Sequence, residues 1–112
     1  MTMRVVLDEA ARDIDQILDF LERKAGARTA VKYGRLLGRQ LALLDEFPGL
    51  GTPRPELGQL ARIAVVSPYV IIYDFDPSRD EVVVLRIVHG RRNITRELLP
   101  STRDDDRSQE RD

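Results

Sequence analysis

Residues 82–99 read VVVLRIVHGRRNITRELL. Aliphatic, mostly β-branched residues run up to His89, the chain's single histidine, and an arginine-rich turn follows. A nearly continuous apolar run of this length fits a central strand covered on both faces, or with one face against helices. From Arg86 to Arg96 the stretch holds Arg86, Arg91, Arg92 and Arg96 and no acid, in a chain whose net charge is −1. Positive charge gathered at the exit of a core strand suits an anionic partner, either nucleic acid or an acidic protein.

Upstream lie two further strand candidates, Leu60 to Val66 and Tyr69 to Phe75, parted at Pro68. The residues 76–80, DPSRD, have turn composition, so the strand from Tyr69 and the strand Glu81 to Val88 form a hairpin. Tyr69 and Tyr73 lie four apart on one strand face, where packing into the core is the ordinary fate of tyrosine. Arg86 alternates with Leu85 and Ile87, which puts it on the face opposite theirs, paired with an acid or facing a partner. The segment 47–58, FPGLGTPRPELG, is dense in proline and glycine and reads as loop. Within it Pro53 and Pro55 hold the backbone of Arg54.

The first half is helical. Arg4 to Leu7 is a short apolar edge strand, and Asp8 stands where an N-cap is expected, with Glu9 in the first turn. Ala11, Ile14, Ile17, Leu18 and Leu21 recur at helical spacing, and Gly26 ends the helix behind Arg23 and Lys24. A second helix spans Ala27 to Glu46, with its stripe at Ala30, Tyr33, Leu37, Leu41 and Leu44. Gly34 and Gly38 cost helix propensity, which suggests close packing of another backbone. The short connection at Gly26 makes the pair an antiparallel hairpin. Its charges are sorted: Asp15, Asp19 and Glu22 on the first helix, Arg28, Lys32, Arg35 and Arg39 on the second. They form either a solvated surface with some inter-helix pairing or a binding surface.

At 112 residues the chain fits a single domain, residues 1–99, and the tail 100–112 reads as disordered, holding three arginines and five acids. No apolar run is long enough to span a bilayer and no signal-peptide pattern opens the chain. The absence of cysteine excludes disulfides and thiolate chemistry and fits a cytoplasmic protein. With one histidine, a zinc site is not expected; without a glycine-rich phosphate loop, neither is nucleotide hydrolysis. No cofactor is expected. The pattern is α+β, β-α-α-β-β-β, with the N-terminal helical hairpin packed on one face of a small, largely antiparallel sheet.

In this order the chain resembles the ParE branch of the ParE/RelE toxin–antitoxin superfamily. The blocks that carry the resemblance are EAARDIDQILDFL (9–21), FPGLGTPRPEL (47–57), SPYVIIYDFD (67–76) and VLRIVHGRRNI (84–94). They match a helical hairpin, a P-x-x-G-x-x-R-P-E-L loop, a Y-x-I-x-Y strand and an R-x-x-H-G-x-R-x-I close, over about residues 4–99. The resemblance implies a type II toxin that a cognate antitoxin neutralises in a hetero-oligomeric complex. The antitoxin's C-terminal segment then lies in the groove between helical hairpin and sheet. It further implies DNA gyrase as the target of the free toxin. RelE-type relatives are instead ribosome-dependent mRNA endonucleases.

Metal-free RNA cleavage needs a base for the 2′-hydroxyl, a cation for the phosphorane and an acid for the leaving oxygen. Arg62 and Arg86 as phosphate clamps, His89 as acid or base, and Glu56 as a second carboxylate are the candidates. RelE-type nucleases usually carry several basic groups in the central strands and a terminal Tyr or His-Tyr; beside them this set is thin, and no aromatic residue follows Phe75. The expectation is therefore an inhibitory binding protein, with Arg54, Arg62, Tyr73, Arg86, His89, Arg91 and Arg92 as candidate target- or partner-binding residues. For His89 three readings stand: a ring nitrogen hydrogen-bonded to fix the Gly90 turn, a partner contact, or catalysis.

Overall fold

The computed structural model describes residues 2–100. In chain order these form β1 (Met3–Val6), α1 (Asp8–Ala25), α2 (Ala27–Glu46), β2 (Thr52–Pro53), β3 (Ala61–Val66), β4 (Tyr69–Asp76) and β5 (Glu81–His89). Single 3-10 turns stand at Pro48–Leu50, Pro55–Leu57 and Arg96–Leu98. The sheet order is β1-β5-β4-β3-β2. Only the β1–β5 pair is parallel, and the helical hairpin supplies the crossover that a parallel pair requires. The other three pairs are antiparallel.

The fold is thus α+β with the expected hairpin, and with one strand more than the β-α-α-β-β-β pattern. Thr52 and Pro53, inside the expected loop, pair with Ile63 and Arg62 of β3. A two-residue strand containing proline has no readable alternation, and an edge is where the missing N–H costs least.

Helix α1 follows β1 without a loop. Leu7's amide donates the last inter-strand bond to the Val84 carbonyl (3.1 Å), and its own carbonyl accepts from Ala11 (3.0 Å). Leu7 therefore occupies the cap position with no side-chain capping bond, and Asp8, expected there, is the first helical residue. Together with Glu9 it still places negative charge at the helix N-terminus. Gly26 is the whole connection between the helices: its amide closes α1 on the Glu22 carbonyl (3.1 Å), and its carbonyl opens α2 through Ala30 (3.2 Å). Its φ of 97° is one that side chains oppose.

The core has two layers. Ala10, Leu37, Leu41 and Leu44 from the helices meet Ala64, Val66, Tyr69, Ile71, Tyr73, Val82, Val84 and Ile87 on one face of the sheet. On the other, Ala61, Val70, Ile72, Leu85 and Val88 are covered by Leu57 and Leu99. This second cover explains why Tyr69 to Asp74 are all buried and why β4 reads as an uninterrupted apolar run.

Two expectations are corrected. Gly34 meets Leu18 only in ordinary van der Waals contact at 3.7 Å, and a Cβ on Gly38 would meet nothing within 4 Å, so neither glycine is required for close packing. Leu85 and Ile87 do not share a face: they lie in opposite core layers. The register shifts between Ile72, opposite Arg86, and Tyr73, opposite Val84, leaving Leu85 as an extra residue in β5. A bulge resets the period-2 alternation, which a sequence pattern does not announce. Leu99 and Pro100 are buried. The expected disordered tail otherwise lies outside the described residues. Among those residues no helix is long and apolar enough to cross a membrane.

Candidate partner-binding groove

Strand β5 outruns its neighbour β1, which pairs only with Glu81 to Val84. Beyond that point the outer rim of β5 lies beside α1. The bulge turns Arg86 toward α1, where Asp13 receives Nε at 2.7 Å and Nη2 at 3.0 Å. The same carboxylate accepts the Ile87 amide at 2.9 Å. Arg86 Nη1 donates to the Leu98 carbonyl at 2.9 Å, tying the C-terminal turn to the sheet. With side chains only 18% and 11% exposed, Arg86 and Asp13 form a largely buried, bidentate pair. The hydrogen bonds to Asp13 are the main reason the guanidinium pKa is pushed up.

Past this pair Asp13, Gln16, Ile17 and Phe20 form one wall of a groove of about 280 Å³; Tyr69, Ile87, Val88, His89 and Arg92 complete it. Phe20 is half exposed at its mouth. The aromatic rings continue inward: His89 meets Tyr69 edge-on with ring centres 5.8 Å apart, and Tyr69 meets Tyr33 in the same way at 5.8 Å. Burial pushes the Tyr69 hydroxyl pKa up, with Tyr33 adding a smaller push. Along the rim the Gly90 amide donates inward to the Pro68 carbonyl (2.8 Å), whereas the Ile87 amide turns outward to Asp13. By strand alternation the His89 amide faces outward too, into the groove.

His89 Nδ1 accepts the Arg91 amide at 3.1 Å, fixing the turn through Gly90, as one of the three readings expected. That bond assigns the proton of the neutral ring to Nε2. Arg91 and Arg92 are exposed just beyond it. The remaining candidates lie toward the other edge of the sheet. Arg62 Nη1 donates to the carbonyls of Gly49 (3.0 Å) and Gly51 (2.7 Å), holding the loop before β2. Tyr73 is fully buried, and its hydroxyl accepts from Gly51 (2.8 Å) and donates to Pro48 (2.8 Å). The ring is core, the ordinary fate expected of it, and the hydroxyl is a loop anchor. Arg54 Nε bonds Glu56 at 2.7 Å on the surface, and that bond is the main reason the Glu56 carboxyl pKa lies below its ordinary value.

The nuclease constellation is therefore not assembled. Arg62 holds loop carbonyls and Arg86 holds Asp13, with β4 between their strands. Glu56 is bonded to Arg54 on the exposed loop. Among the described residues no group of three or more His, Cys, Asp or Glu stands ready for a metal ion. The sequence reading missed Asp13, Gln16 and Phe20. Phe20 carried a signal, a large aromatic residue set just off the apolar stripe of Ile17 and Leu21. Asp13 carried none, because its role depends on the bulge.

Comparison with known proteins agrees with this architecture. The sequence model of the ParE toxin of type II toxin–antitoxin system, parDE, matches residues 5–94. Among curated proteins, Toxin ParE1 of Caulobacter vibrioides is 27% identical over 89 residues, covering 80% of this chain and 90% of the relative. Toxin ParE3 of the same organism is 28% identical over 90 residues, covering 80% and 88%. Among solved structures, a chain of the chromosomal ParDE TA system from P. aeruginosa has the same fold, with a TM-score of 0.67 and 23% identity. That match covers 80% of this chain and 96% of the other. With the helical hairpin, strands β2 to β5 and the HGRR turn all inside the matched span, the chain belongs to the ParE toxins of type II toxin–antitoxin systems.

Proposed function

We propose that the chain acts by binding rather than catalysis, with DNA gyrase as its target when free and an antitoxin segment seated in the groove between α1 and β5 when neutralised. The observation that carries the groove reading is the unpaired β5 rim. It offers the outward His89 amide beside Ile17 and half-exposed Phe20, with Arg92 at the mouth. An extended or helical segment with apolar anchors and an acidic flank fits such a site, since backbone bonding supplies affinity and pockets supply selection. The gyrase reading follows from family membership and from the dispersal of Arg62, Arg86 and His89 over separate structural tasks. His89 Nε2, Arg91 and Arg92 are the groups this reading leaves for a partner.

Two measurements test it. Phe20→Glu is expected to weaken antitoxin binding at least tenfold, whereas Val65→Glu, a comparably exposed apolar position on β3, leaves it unchanged; equal effects would refute the groove. Incubated with translating ribosomes, the antitoxin-free chain is expected to leave mRNA intact. Cleaved message, lost in both Arg62→Ala and His89→Ala, would overturn the non-catalytic reading.

A further inference from the structure

The outer surface of the helical hairpin takes no part in the site described above. The stripes of Ala10, Ile14, Ile17 and Leu21 on α1 and Ala30, Leu37, Leu41 and Leu44 on α2 face the sheet. At 3.6 residues per turn, Asp15, Asp19 and Glu22 then fall on the far side of α1, and Arg28, Lys32, Arg35 and Arg39 on the far side of α2. All seven are exposed. Among the described residues none of them makes an ion pair across the hairpin; Asp19 pairs with Arg23 of its own helix at 3.2 Å, and Lys32 stands 5.7 Å from the Tyr33 ring. The result is an acidic column, interrupted by exposed Arg12 and Arg23, beside a basic column, with Val31, 53% exposed, in the apolar seam between them.

We propose that this face docks on the same face of a second copy of the chain. A two-fold axis parallel to the helices sets the acidic column of each copy on the basic column of the other, as a self-complementary interface requires. The levels agree. Counted from Gly26, Glu22 lies 4 residues away, Asp19 7 and Asp15 11; Arg28 lies 2 away, Lys32 6, Arg35 9 and Arg39 13. The axis preserves level, so Glu22 falls between Arg28 and Lys32 of the other copy, Asp19 between Lys32 and Arg35, and Asp15 between Arg35 and Arg39. At about 1.5 Å of rise per residue the offsets are roughly 1.5–3 Å, within reach of long side chains. The Val31 side chains meet near the axis.

Two helices side by side, roughly 28 Å long and about 10 Å wide each, cover about 550 Å² per copy, the low end for a specific interface. The dimer is accordingly weak, micromolar and salt-sensitive. Nucleic acid is the poorer occupant, because it engages only the basic column while the adjacent acids repel its phosphates.

Sedimentation velocity of the full chain, from low micromolar to near millimolar concentration, tests the proposal independently of the toxin reading. The wild type is expected to dimerise with concentration and to dissociate in molar salt. Two variants give all seven positions one sign: Arg28→Glu/Lys32→Glu/Arg35→Glu/Arg39→Glu and Asp15→Arg/Asp19→Arg/Glu22→Arg. Each, with unchanged helical circular dichroism, is expected to dimerise at least tenfold more weakly than wild type when alone. Mixed, they are expected to associate with each other. The proposal fails if the wild type stays monomeric throughout or if its dimer survives both reversals. It fails equally if the folded variants do not associate on mixing, or if duplex DNA, not a second copy, binds the wild-type face.

Discussion

Replacing Asp13 with alanine removes three hydrogen bonds at once: two from the Arg86 guanidinium, at 2.7 and 3.0 Å, and one from the Ile87 amide at 2.9 Å. The guanidinium remains behind, its side chain only 18% exposed, held by a single bond to the Leu98 carbonyl. Breaking one partner out of a buried ion pair costs about 3–5 kcal/mol, and the residual exposure here places the loss near the lower figure, about 3 kcal/mol. That is roughly a hundredfold or more in the folded-to-unfolded ratio. The Asp13→Leu/Arg86→Met double variant removes both charges together. It leaves the Ile87 amide and the Leu98 carbonyl without their partners, so it is expected to recover all but about 2 kcal/mol. Urea unfolding followed by circular dichroism measures both, with the midpoint falling and the slope unchanged. A cost below about 1 kcal/mol for the single variant would refute the reasoning. So would a double variant as unstable as the single one, because the penalty would then not come from an orphaned charge.

Other consequences follow from the same geometry. A Cβ on Gly51 would stand 2.5 Å from the Tyr73 hydroxyl and 2.6 Å from the Ile63 carbonyl, so Gly51→Ala is expected to cost about 1–3 kcal/mol in urea unfolding. Tyr73→Phe strands the Gly51 amide and the Pro48 carbonyl, and is expected to cost a similar amount of stability, about 1–3 kcal/mol. Gly38→Ala, whose Cβ meets nothing within 4 Å, is expected to stabilise the dilute chain by up to about 1 kcal/mol in the same assay. Burial raises the pKa of Tyr69 and of Tyr73 above the ordinary 10.0. The folded state then holds these protons longer than the unfolded state, so their contribution to stability is full below pH 10 and lost as pH rises through the folded values. Tyrosinate absorbance, compared between native and urea-unfolded protein, checks the direction.

The helices, the hairpin and the three long strands were legible because each buries a face with a regular period. The second apolar cover, Leu57 and Leu99, was legible only indirectly, through the continuous run in β4. What escaped the sequence reading depends on tertiary context. Leu85, as the extra residue of a bulge, inverted the expected sidedness around Arg86, and with it hid Asp13 as the arginine's partner. Thr52 and Pro53 became a strand only because β3 offered an edge. Of the candidate site residues, His89, Arg91 and Arg92 stand together where the sequence concentrated them. Arg54 bonds Glu56, Arg62 holds loop carbonyls and Tyr73 lies in the core, placements decided by neighbours that periodicity does not show.

The free chain is proposed to inhibit a DNA topology enzyme by binding it. Plasmid supercoiling by DNA gyrase, titrated with antitoxin-free chain and then with its antitoxin, is the deciding assay. Supercoiling that falls with added chain and returns with antitoxin is the predicted result. Undiminished supercoiling at chain concentrations that arrest growth would contradict it.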